Sequence, residues 1–248
     1  LYLLVVTGPL LILSLTGKTQ YGFVAETGRG AALAGFMILA LQPLLAGRYR
    51  WIDRPFGFDT VIRFHRNMAI LALVLLVLHP FLLGAGGAGF DLLYSLRKPW
   101  YILAGKAALT LLVLTAGLSM FGMPGRFGFE RWRNVHDVLA PALIALAFVH
   151  GWNAGKDLRI PWVRWFWITA TAISMIAYIY HRFIRPALLS RRPFRVSDVR
   201  ELSSGVWDVT LEPPEGGRVF DYLPGQFQFI TFHRRGGLPE EEHHWTIS

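Results

Sequence analysis

Cysteine is absent from all 248 residues. Its absence excludes disulfides, thiolate metal sites, iron–sulfur clusters and cysteine nucleophiles, so soft-ligand chemistry falls to histidine. Charge is scarce as well: Asp, Glu, Lys and Arg make up 17% of the chain, against 53% hydrophobic residues that include nine Trp and eighteen Phe. A soluble domain carries about 25% charged residues, and the deficit fits a chain that lies in a lipid bilayer. Acidic residues are the scarcer sign, 16 against 25 basic, for a net charge of +9. In a soluble protein that excess would suggest nucleic acid. Here the basic residues flank apolar runs, which points to lipid headgroups and topology and away from nucleic acid. A starting methionine is also missing. The chain opens on Leu1 inside an apolar run, so its natural N-terminus is expected to have been lost, and a signal peptide is not legible.

What is present is a series of long apolar runs. Crossing a hydrocarbon core takes about 20 mostly apolar residues. Six stretches qualify as expected spans: 1–16, cut short, then 30–47, 61–84, 100–122, 134–152 and 162–184. Short basic or Gly-rich links such as "GRYRWIDRPFG" and "GAGGAG" separate them. The links on one side carry Arg48, Arg50, Arg54, Arg63 and Arg66, then Arg126, Arg131 and Arg133, then Arg182, Arg185, Arg191, Arg192 and Arg195. The opposite links carry only Lys18, Arg29, Arg97, Lys98, Lys156, Arg159 and Arg164. Thirteen against seven places the richer side, and the C-terminal segment with it, in the cytoplasm.

Four of the eight histidines fall inside these spans as two matched pairs, His65 with His79 and His136 with His150, each fourteen positions apart. At ~100° per residue, fourteen steps stop ~40° short of four turns and rise ~21 Å. Both members of a pair therefore face one way at two depths. The two helices run in the same direction, since one span lies between them. His65 then shares a cytoplasmic level with His136, and His79 shares an outer level with His150. Two imidazoles at each of two levels suit two stacked haems, each held by a His on either side, with the porphyrins filling the space between helices. A lone His in a span is often only a hydrogen-bonded interior group. A proton relay has no need of identical spacing on two helices, and a zinc site gathers its ligands at one depth.

Weaker readings attach to the neighbours. Arg63, Arg66, Arg131 and Arg133 stand at the cytoplasmic ends of the histidine helices, suited either to haem propionates or to headgroups. Asp137 follows His136, but adjacent helical residues diverge by ~100°, so its partner is expected on another helix. Pro80 is expected to kink its helix. His181 reads as interfacial, and Lys106 reads as snorkelling or lining a cavity.

After about residue 190 the pattern changes to β-branched and aromatic runs, "FRVSDVREL", "GVWDVTLEP" and "QFQFITF", separated by Pro and Gly clusters. About 55 residues is marginal for an independent domain, so this all-β piece is expected to begin a larger one. The expected organisation is therefore an α-helical membrane domain over 1–190 and an incomplete β domain over 191–248.

The two histidine pairs on the third and fifth of six spans, followed by a cytoplasmic β segment, resemble the ferric reductase and NADPH oxidase family. "PGQF" at Pro224 to Phe227 and "HHWTIS" at His243 to Ser248 resemble the two early flavin-barrel motifs of that family's ferredoxin-reductase-type domain. The second motif commonly reads His-Pro-Phe-Thr or Arg-x-Tyr-Ser/Thr, so His243, Trp245 and Thr246 take its first, aromatic and hydroxyl positions; His244 stands where Pro is usual. The resemblance implies a six-helix bundle with two b-type haems on His65, His79, His136 and His150, followed by the beginning of a flavin-binding β-barrel. It implies FAD, with Trp245 against the isoalloxazine and Thr246 hydrogen-bonded near its reactive nitrogen, and NADPH or NADH as donor. The acceptor it implies is oxygen or a ferric chelate outside an inner or plasma membrane. The flavin diphosphate site and the nicotinamide domain would follow Ser248. One alternative is a haem-bearing membrane cytochrome that passes electrons to a separate periplasmic partner without its own flavin. Another is a non-redox transporter with histidine proton sites.

Overall fold

The computed structural model describes residues 1–16, 21–120, 128–217, 226–232 and 242–246. The apolar runs form helices: α1 (Tyr2–Thr16), α2 (Phe23–Ala46), α3 (Arg50–Phe56), α4 (Phe58–Leu83), α5 (Asp91–Tyr94), α6 (Trp100–Met120), α7 (Phe129–Ala154), α8 (Pro161–Ile179) and α9 (Arg185–Ser190). Among the described residues five segments are long and apolar enough to cross a membrane, at Phe23–Ala46, Phe58–Ala88, Trp100–Met120, Arg131–Ala154 and Pro161–Ser190. The stretch expected as a first span forms α1, whose 15 residues fall short of the ~20 that a crossing takes.

Helix α2 begins seven residues ahead of its expected start at residue 30. Gly28, inside the added turns, serves close packing. A Cβ there would meet the Leu82 Cβ at 3.0 Å. Gly22 caps the helix, and the Glu26 carboxylate accepts from the Tyr21 amide in the first turn, where an acid also suits the helix dipole. Pro80 lies inside α4, which continues to Leu83 and then distorts through a π-helical turn, Gly84–Ala88, in which Gly87 takes φ 108°.

α2 is the axle of the bundle. More than half of its apolar window is buried, 56%, against 11% for the corresponding windows on α4 and α7. It lies along α4 and also meets α1 and α8, whereas α7 packs chiefly on α6. Its side chains Met37, Ile38 and Ala40 are fully enclosed. On one flank the buried Trp167 of α8 packs against both Phe36 and Phe148, with centroids 4.7 and 4.3 Å away, contacts worth about 1 kcal/mol beyond area burial.

The strand signals hold. β1 (Arg195–Ser203) and β2 (Val206–Glu212) form an antiparallel hairpin, and β3 (Phe227–Thr231) pairs antiparallel with β4 (Glu242–Thr246). Among the described residues these are two separate two-stranded ladders. The second ladder lies against one end of the helical bundle: Phe58, at the start of α4, meets Phe229 edge-on at 5.3 Å.

Candidate functional site

The fourteen-residue spacing does what helical geometry requires. The His65 and His136 rings face each other across α4 and α7 with centroids 6.3 Å apart, and His79 and His150 do the same at 6.5 Å. The first, or near, pair lies toward the end that carries β3 and β4; the far pair lies four turns away. Because α4 leans on α2 and α7 on α6, the two histidine helices approach each other mainly through these rings. All four histidines are half-buried.

Both separations fit two imidazoles on opposite sides of one metal ion. With metal–nitrogen bonds of about 2.0–2.1 Å, ring centroids in such a pair stand about 6–6.5 Å apart. Each level offers two donors, and among the described residues there is no group of three or more His, Asp or Glu around a common point. That donor set is poor for a bare zinc ion, which takes four ligands. It suits a haem, whose macrocycle supplies the equatorial donors and leaves two axial positions to the protein.

The far pair is held by main chain. His79 Nδ1–H donates to the Gly28 carbonyl at 2.9 Å, and His150 Nδ1–H donates to the Tyr101 carbonyl at 2.9 Å. A carbonyl only accepts, so each Nδ1 must carry the proton, which leaves the Nε2 lone pair for a metal. Glycine makes room for both contacts. A Cβ on Gly105 would stand 2.6 Å from His150 Nδ1, and Gly28 is already at the limit of approach to α4. Neither glycine was singled out in the sequence, and the only available signal was a small residue inside an apolar run.

The near pair is supported differently. His65 Nδ1 is buried and makes no hydrogen bond among the described residues. The Gln42 main chain on α2 is its polar neighbour. Gln42 is itself buried: its Nε2 donates to the Ile38 carbonyl at 3.2 Å while Oε1 has no partner among the described residues. Trp132, one turn before His136, meets that ring edge-on at 5.6 Å.

Other expected neighbours fall as follows. Asp137 pairs across helices with Arg182 at 2.9 Å, and its carbonyl accepts from the Tyr178 hydroxyl at 2.6 Å. Lys106 donates to the Ser95 carbonyl at 2.6 Å, and His181 packs on Tyr49 with centroids 4.0 Å apart. Arg63, Arg66 and Arg131 are exposed. Arg133 instead donates to Glu242 of β4 at 2.6 Å. At the far end, the Arg29 guanidinium pairs with Asp157 and with Glu26, tying the start of α2 to the turn after α7. Burial pushes the Asp157 carboxyl up despite that guanidinium.

The flavin-motif residues lie partly within the description. His243 and Trp245 are on β4, opposite Ile230 and Gln228, and Trp245 is 52% exposed. His244, at the departure from the motif, packs near Phe227 and Phe229. Thr246 ends β4 opposite Phe227; its side chain, and Pro224, Gly225, Ile247 and Ser248, lie outside the described residues.

Residues 31–147 match the sequence model of a family described as ferric reductase like transmembrane component. The matched stretch takes in His65, His79 and His136 and stops three residues before His150. No curated protein matches the chain. The match supports that family and suggests an oxidoreductase, and with the five spanning helices it makes the chain an integral, multi-pass membrane protein.

Proposed function

We propose that the chain is a transmembrane oxidoreductase that moves electrons from cytoplasmic NADPH or NADH, through FAD and two b-type haems, to oxygen or a ferric chelate on the other side. The observation that carries this reading is the pair of ring separations, 6.3 and 6.5 Å, at two levels of one bundle. The family whose model matches binds haem, which agrees. On this reading residues 1–190 are the membrane domain, with His65 and His136 as axial ligands of the near haem and His79 and His150 as those of the far one. Residues 191–248 open the flavin domain, where His243, Trp245 and Thr246 border the flavin. The excess of arginine at the strand end supports a cytoplasmic position for that end, on this reading beneath a plasma or inner membrane.

With both cofactor types bound, the two electrons of one hydride from NAD(P)H would cross singly and reduce two molecules of dioxygen to superoxide, or two ferric ions to ferrous, releasing one proton inside. The chain's own contribution is orientation and exclusion. Gly28 and Tyr101 carbonyls fix the far imidazoles with Nε2 free. His65 with His136 and His79 with His150 would each hold a haem, which would supply one-electron transfer at that level. The apolar residues between His65 and His79 keep water from the path.

The test is spectroscopic. Purified protein should show the absorption of six-coordinate b-type haem, and NAD(P)H with FAD should reduce it anaerobically; protein without haem would refute the reading. Turnover with ferric chelate, with and without superoxide dismutase, would separate the two acceptors.

A further inference from the structure

The contact between the β3–β4 ladder and the bundle is concentrated on one carboxylate. Glu242, the first residue of β4, accepts from Arg48 through both oxygens, at 2.7 and 3.0 Å, and from Arg133 at 2.6 Å. Arg48 sits at the corner between α2 and α3, and Arg133 is one turn before His136 on α7. The carboxylate thus joins two parts of the bundle that are 85 positions apart to a strand that follows Arg133 by 109. Fork-shaped guanidinium pairing fixes direction as well as distance, unlike a loose surface ion pair. The three side chains are 22–30% exposed, so solvent screening is reduced.

Two further features converge on Arg48. Among the described residues it is the only non-glycine with a positive φ, 53°. Such a backbone persists when its surroundings over-determine it. Its guanidinium also lies 3.6 Å from the centroid of Phe229 on β3, a cation–π contact on the same ladder that Glu242 opens. Burial alone would raise the Glu242 carboxyl, but its bonds to Arg48 and the charges of Arg48 and Arg133 hold it below the usual range, so it stays ionised.

We infer that Glu242, Arg48 and Arg133 form a latch that docks the β3–β4 ladder on the His65–His136 end of the bundle and sets the distance over which electrons enter. Glu242 and Arg48 are positioning residues here: neither touches a metal ligand. The distance-setting role rests on the flavin reading above; the docking itself does not.

The experiment uses the full protein in detergent, as wild type, Glu242→Gln, Arg48→Gln and Glu242→Asp. Three quantities are followed: hydrogen exchange of the β3 and β4 amides, haem reduction by NAD(P)H with FAD, and haem reduction by dithionite. The latch predicts faster exchange on both strands in the two Gln variants. It also predicts NAD(P)H-driven reduction slowed at least tenfold in both, with haem content and dithionite reduction unchanged. Glu242→Asp, which keeps the charge on a shorter arm, should recover part of the rate. Unchanged exchange in both Gln variants would overturn the latch, as would equal losses of the NAD(P)H and dithionite reactions. If wild type binds no flavin, the flavin reading fails separately, and faster exchange in the variants still supports the docking.

Discussion

The far and near histidine pairs share a spacing and a ring separation but are held by different means. His79 and His150 donate to backbone carbonyls on α2 and α6, and glycines clear the space around both contacts. His65 makes no such hydrogen bond among the described residues; its polar neighbour is the Gln42 main chain on α2, and across the gap Trp132 stands beside His136. Main-chain anchoring fixes a tautomer in a way that no neighbouring side chain can vary, so the far site is protected from drift and sensitive to backbone crowding. The near site lacks such a bond on His65 and lies at the end of the bundle where the strand ladder docks. One helical repeat therefore makes two sites that are alike in their ligands and unlike in their support.

The comparison is broken most severely at the near ligand. His136→Leu should reduce NAD(P)H-driven reduction of an external acceptor to background, because the electron path loses its entry, while the far haem remains measurable by absorbance. Crowding the far pair comes next. Gly105→Leu drives a side chain into the place of the His150 ring, and overpacking of that kind costs about 1–3 kcal/mol. Far-site occupancy should fall roughly tenfold or more, with the near site intact; equal loss from both sites would remove the distinction in support. Gly28→Ala should act in the same direction but more weakly, since its closest new contact is 3.0 Å against 2.6 Å at Gly105.

Smaller effects sharpen the near side. Gln42→Leu removes a buried Oε1 that has no partner among the described residues. An unsatisfied buried polar group costs about 1–3 kcal/mol, so thermal unfolding should move up slightly with both haems retained. The mildest test is pH. Glu242 is held below its ordinary value when docked, so docking releases a proton. Its contribution is complete above the undocked value of about 4.3 and is lost as pH falls through the docked one. Strand exchange rates, corrected for the intrinsic pH dependence, should be flat from pH 7 to 5 and rise only in more acidic buffer.

Much of this was legible in the sequence because it follows from period and composition. The five spanning helices answer to apolar length, the facing rings to a fourteen-residue step on a 3.6-residue helix, and β1 to β3 to β-branched and aromatic runs. What was not legible depends on contacts between distant segments. The Gly28 and Tyr101 anchors are main-chain atoms, 51 and 49 positions from their histidines, and any residue has a carbonyl. Arg48 and Glu242 are 194 positions apart, and nothing local marks either as the other's partner. The reading of Arg133 as suited to propionates or headgroups rested on its helix end alone, and its bond to a carboxylate on β4 had no local signal. Pro80 is accommodated inside α4, and the π-helical turn comes just after it, in the Gly84–Ala88 run.

The central claim, that each level of the bundle is one metal centre held by one His from α4 and one from α7, is tested most directly by counting haem per chain with the pyridine assay. The count should be two in wild type and one in each of His65→Leu, His79→Leu, His136→Leu and His150→Leu, with near-pair variants losing one spectral component and far-pair variants the other. Two haems retained in any single variant, or the same component lost in His65→Leu and His79→Leu, would contradict the pairing.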